Sequence, residues 1–155
     1  MTDIPELSRQ LQQFRHAPDE GIQGDCYPTA IACVLGRPRA DIPHWHEDLT
    51  GDEVNSRYIE WFRSQGLRRI YFPVLDTGES FRKVANEMWS RGDGMPMILT
   101  GAGPRGVNHV VVVYGENDFW CPTLGQTNRV GLVGPALPDG YYWAEWIVKD
   151  PSSKP

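Results

Sequence analysis

The last third of this chain changes its hydrophobic period, and that change most restricts the fold. VNHVVVVY (107–114) contains four consecutive valines, whose branched side chains lose freedom in a helix and pack well on a pleated surface. MPMILT (95–100), DFWCPT (118–123) and YYWAEWIV (141–148) share this strand character. GEND at 115–118 suits a tight hairpin between the second and third of these, and GAGPRG leads into the histidine-bearing strand. LRRIYFPVL (67–75) reads as a further strand, with Pro73 favouring an edge or a strand end.

Before residue 92 the pattern is mostly helical. Asp3, Pro5 and Glu6 predict a first helix over 3–15. A second starts at Asp25 or Cys26, accepts Pro28 in its first turn and stops at Gly36. Thr50 and Glu53 have capping-box spacing ahead of Val54, Tyr58, Trp61 and Phe62, a helix ending at Gly66. Asp76 and Glu79 predict the start of another, whose stripe is Phe81, Val84, Ala85, Met88 and Trp89 and whose stop is Gly92. Helices first and a mainly antiparallel sheet afterwards make an α+β fold. One domain is expected over residues 1–150, with 151–155 as a flexible tail.

Several function classes fall away on composition. Net charge is −5 and the fifteen basic residues are scattered, which argues against general binding to nucleic acid or an anionic membrane. MTDIPELSRQ has no apolar signal core, and no apolar run approaches eighteen residues. A cytoplasmic location is the expectation. Three cysteines without dense spacing do not make a disulfide framework. Cys26 and Cys33 on one helix would be separated by a rise of roughly 10 Å, beyond disulfide reach.

Cys26 stands where the polar turn GIQGD meets the apolar run CYPTAIACVLG. A helix start offers unpaired N–H groups and positive partial charge, both of which lower a thiol pKa. The alternative is a small buried hydrophobe, the reading that fits Cys33 among Ala32, Val34 and Leu35. His109 is the base candidate. Strand alternation groups it with Val111 and Val113, and Asn108, Val110, Val112 and Tyr114 take the other side. His44 and His46 flank Trp45 in an HxH pattern, but tetrahedral zinc needs more ligands than these two.

QGDCYPTAIACVLG followed by GAGPRGVNHVVVVY, a short hairpin and DFWCPTLG resembles the papain-like cysteine peptidase superfamily, in particular its compact bacterial and phage-type members. The resemblance implies a cysteine-bearing helix packed on an antiparallel sheet that carries the histidine. It implies Cys26 as nucleophile, His109 as general base and Gln23 as an oxyanion-hole donor beside the Cys26 N–H. Gln23 lies closer to the cysteine than in the familiar papain arrangement. Where related small proteins place Asp before Pro to orient the histidine, this chain has Cys121-Pro122. Asp118, Asn117 and Asn128 are other candidates for that task. GAGPRG lacks the Lys-Ser/Thr of a phosphate loop, and Arg105 within it pairs with a substrate carboxylate or simply solvates the loop.

The expected activity is therefore cysteine-dependent hydrolysis of an amide or peptide bond through a thioester, with a peptide or protein substrate and no cofactor or metal. Peptidase, amidase, deamidase and transglutaminase chemistry share these parts. The rival expectation is a catalytically impaired binding or inhibitor module, motivated by Cys121 at the acid position. A zinc protein is a distant third. Oligomeric state is not legible.

Overall fold

The structure is a computed structural model that describes residues 9–14, 18–20, 24–45, 51–123 and 131–152. Within these residues α1 is Cys26–Leu35, α2 Gly51–Ser64 and α3 Phe81–Arg91. The strands are β1 Leu67–Leu75, β2 Met97–Ala102, β3 Asn108–Gly115, β4 Asp118–Trp120 and β5 Tyr141–Lys149. They form one open sheet in the order β1-β5-β2-β3-β4, with every pair antiparallel. The α+β class thus follows the change of period.

The sheet separates two packed layers. On one face Val111, Val113, Leu99, Tyr142 and Trp146 pack with Phe81, Val84 and Met88 of α3. On the other, Val110, Val112, Ile98 and Ile147 pack with Ala30, Ile31 and Cys33 of α1 and with Tyr58 and Phe62 of α2. The valine run fits this place because both of its faces are covered. Pro73 lies in the edge strand β1 opposite Trp143, where its missing N–H disrupts no ladder between two neighbours.

Local chemistry accounts for the boundaries. Gly36 ends α1 at φ 74°, a left-handed conformation that glycine adopts freely, and donates to the Ala32 carbonyl. The β3–β4 hairpin turns through Glu116 and Asn117, with Asn117 at φ 54°. Asn117 N–H donates to Asn86 Oδ1, and Asn86 Nδ2 donates back to Asn117 Oδ1, which ties the hairpin to α3.

Two helix expectations need correction. Residues 9–14 of the expected first helix are not helical, because their N–H groups are engaged elsewhere. Gln12 donates to the Pro122 carbonyl at 2.9 Å, and Gln13 and Phe14 donate to the Asp25 carboxylate at 3.0 and 2.8 Å. Residues 3–8 and 15 of that expectation lie outside the described residues. Helix α3 begins at Phe81, later than Asp76, because Asp76 Oδ1 accepts the Gly78 N–H and closes a local turn instead. Of the expected tail, Ser152 folds back by donating its N–H and hydroxyl to Asp150, and 153–155 lie outside the described residues.

Asp25, just ahead of α1, is fully buried and pairs with Arg39 Nε at 2.7 Å. Arg39 in turn donates to the Ile42 carbonyl at 2.8 Å. Removing one member of such a pair strands the other charge in the interior. Asp25→Asn should therefore lower the unfolding free energy by about 3 kcal/mol, measured by urea denaturation with tryptophan fluorescence. A loss below about 1 kcal/mol, the range of an exposed pair, would show that this pair does not anchor the helix.

Candidate active site

A cavity of about 530 Å³ opens beside the N-terminus of α1, with Cys26, Tyr27, Arg69, His109, Val110 and Glu145 in its wall. Two of the sequence-derived site residues, Cys26 and His109, thus reach one space. The third, Gln23, lies outside the described residues, as do His46 and Asn128.

Cys26 is the first residue of α1. The expected low thiol pKa does not follow. Burial pushes the thiol up to about 11, backbone hydrogen bonding near Val110 opposes this, and the Asp25 carboxylate raises it further. The helix N-terminus is worth roughly a kilocalorie or less at such a position, and loss of hydration outweighs it. The resting group is a thiol.

His109, the second residue of β3, is half-buried. Its Nε2 lies 3.0 Å from Cys121 Sγ and 3.3 Å from Thr123 Oγ1, and those two atoms are 2.9 Å apart. Cys121 and Thr123 are thus the two side chains in contact with this ring nitrogen among the described residues. Burial holds the imidazole down at about 4, with the Arg105 charge acting in the same direction. At neutral pH the ring is uncharged. With Nε2–H donating to Cys121 or Thr123, Nδ1 is the nitrogen available to accept a proton.

The two groups are not joined by a hydrogen bond among the described residues. Alternation places His109 with Val111 on the α3 face of the sheet, the side of Cys121, whereas α1 packs on the Val110 face. Asn108, His109 and Val110 all contribute to the cavity wall, so the cavity wraps the first rungs of β3. Gly103 lets the preceding loop close against this strand end, since a Cβ there would lie 3.0 Å from the His109 Cβ. GAGPRG is a closed turn, with Gly103 N–H donating to the Val107 carbonyl at 2.8 Å.

The other orienting candidates among the described residues are committed elsewhere. Asp118 pairs with Arg9 at 2.7 Å, and Asn117 with Asn86. Cys33 is buried in the core, as its surroundings predict. His44 stacks on Phe14 with ring centroids 5.9 Å apart. Among the described residues no cluster of three or more His, Cys, Asp or Glu is placed to hold a metal, and no helix is long and apolar enough to cross a membrane.

Sequence reasoning missed a polar group in the same cavity wall. Glu145 is 2% exposed, accepts from Tyr27 Oη at 2.7 Å and faces Arg69 Nε at 3.3 Å. Arg69 also donates to Tyr27 Oη and to Asn55 Oδ1, and lies over the Tyr71 ring. The available signal is a lone carboxylate interrupting the apolar run YYWAEWIV. Burial raises this carboxyl to about 7, with Tyr27 and Arg69 opposing the rise.

A larger groove of about 780 Å³ runs between β1 and α3, lined by residues such as Phe72, Val74, Met88 and Trp146. It contains neither a cysteine nor a histidine, so the smaller cavity is the chemically equipped one. Compared with known protein families, curated proteins and solved structures, the chain matches none.

With Cys26 titrating near 11, about one molecule in ten thousand carries the thiolate at neutral pH. Its alkylation by iodoacetamide should climb about tenfold per pH unit from 7 to 10, followed by mass spectrometry. A plateau below pH 8 would contradict the raised thiol pKa.

Proposed function

We propose that the chain is a cysteine-dependent hydrolase of amide or peptide bonds, built on a papain-like plan. The observation that carries this reading is the shared cavity. It is walled by a helix-start cysteine and by a strand histidine whose Nε2 contacts Cys121 Sγ at 3.0 Å.

In the proposed reaction His109 Nδ1 first closes on Cys26 Sγ within the shared cavity, and then removes the thiol proton as the sulfur attacks the substrate carbonyl. The Cys26 N–H, at the helix start, donates to the developing oxyanion in this reaction. Collapse expels the amine, which takes the proton back from His109, and leaves a thioester. Water, deprotonated by His109, then releases the acid and restores the thiol.

The protonation states decide how such a reaction begins. The thiol, pushed up to about 11, and the imidazole, held down at about 4, both rest in the uncharged form, and this gap disfavours a resting ion pair. The nucleophile is therefore formed during attack, as with a serine, and not stored as a thiolate. The same gap favours a second reading, in which the cavity binds a peptide or protein without cleaving it.

A peptidyl acyloxymethyl ketone separates the two. Labelling of Cys26 alone among the three cysteines, slowed by about a hundredfold or more in His109→Ala, is the expected result. No adduct, or equal labelling in the variant, would leave binding as the function.

Cys121→Asp supplies a further check. A carboxylate at Nε2 stabilises the imidazolium that the thiol proton creates. Labelling of Cys26 should accelerate by at least about tenfold, measured by intact-mass kinetics. An unchanged or slower rate would show that Cys121 does not stand in the acid's position.

A further inference from the structure

Glu145 Oε2 is a buried carboxylate oxygen with no hydrogen-bond partner among the described residues. The residue stands on β5, an interior strand of the sheet, and forms part of the Cys26 cavity wall. Its other oxygen is occupied by Tyr27 Oη at 2.7 Å and by Arg69 Nε at 3.3 Å. Leaving a charged acceptor dry and unpaired costs stability unless something else pairs with it. Tyr27 and Arg69 do not relieve that cost, because both engage the opposite oxygen. They hold the carboxylate in one orientation.

The chemistry of the missing partner follows from the neighbours. The lone oxygen accepts, so the partner must donate. Arg69, 11% exposed at the side chain, sets guanidinium N–H groups beside it, so the same partner gains by also presenting an acceptor. The two charges cancel at close range. A cation entering here would meet Arg69, and an anion would meet Glu145. Asp52, exposed at the rim, adds a charge that water and salt screen.

We infer that the Glu145–Arg69 wall is a recognition subsite for a neutral primary carboxamide, such as the side chain of a glutamine or asparagine in the substrate. The amide NH₂ donates to Glu145 Oε2, and the amide oxygen accepts from Arg69. This inference rests on the reading that the Cys26 cavity receives the substrate. It narrows that substrate to one bearing a carboxamide side chain.

Binding to the Cys26→Ala chain tests the subsite without involving the chemistry. Acetyl-glutamine methylamide and its methionine, lysine and glutamate counterparts are titrated calorimetrically at about pH 8.5, where a carboxyl near 7 is ionised. The glutamine probe should bind at least about fivefold more tightly than the methionine probe of similar size, and more tightly than either charged one. Glu145→Gln keeps the shape, replaces the accepting oxygen by a donor, and should reduce the glutamine preference below about twofold. The thermal midpoint checks its folding.

A second measurement needs no variant. Propionamide added to the isotopically labelled chain should shift the Glu145 carboxylate carbon and the Arg69 Nε. Butan-2-one, which keeps the carbonyl and lacks the N–H groups, should shift neither comparably. Equal binding of the glutamine and methionine probes, tighter binding of either charged probe, no binding at all, or a preference that survives Glu145→Gln would overturn the subsite. Carboxamide preference without any Cys26 adduct would leave the subsite standing and remove the hydrolase. An adduct formed without that preference would do the reverse.

Discussion

The buried pair between Asp25 and Arg39 is the contact on which the rest of the molecule depends. Two opposite charges taken out of water attract strongly, but only good geometry and satisfied remaining groups make that favourable. Here the aspartate also accepts the Gln13 and Phe14 N–H groups, and Thr29 donates to it at 3.3 Å. One side chain therefore binds the chain's beginning, the first turn of α1 and the segment after α1. Cys26 is the next residue along, so the clamp also sets where its sulfur lies. Position is gained against reactivity, since the Asp25 charge helps keep that thiol protonated.

Desolvation governs the cavity more than any single partner does. It raises the Cys26 thiol, lowers the His109 imidazole and raises the Glu145 carboxyl. All three shifts favour the uncharged form, the signature of a low-dielectric environment. A thiol and a neutral imidazole can share such a space at rest, whereas a thiolate and imidazolium would need support that Cys121 does not provide. A carboxylate in place of that sulfur would change the balance at Nε2. Across the cavity, Arg69 compensates Glu145 and keeps that wall polar without a net charge.

The architecture was largely legible because it is written in local periods and breakers. The valine run, the Gly36 and Gly92 stops and the GEND turn each act within a few residues. The failures came where a distant group outbid a local preference. Residues 9–14 carry a helical cue, but Asp25 and Pro122 claim their N–H groups. Asp76 has capping-box spacing with Glu79, and its carboxylate closes a turn instead. At the site, Cys26 and His109 were legible as residue types at an element start and a strand end. The direction of the thiol shift was not, because burial is a property of everything packed around the sulfur. Glu145 is hard to read for a related reason: Tyr27 lies 118 residues away on α1, and Arg69 stands on the neighbouring edge strand β1.

By itself, then, the order of side chains determined the α+β class, most element boundaries, the apolar strand that carries His109 and the helix that opens on Cys26. These depend on steric and hydrogen-bonding preferences exerted over one or two turns of chain. Only the tertiary structure decided that Cys26 and His109 approach one cavity from different faces of a sheet. It also decided that Cys121 touches the imidazole and that a buried carboxylate faces the same space. Those outcomes turn on strand order and on the exclusion of water, and neither is contained in any short stretch of sequence.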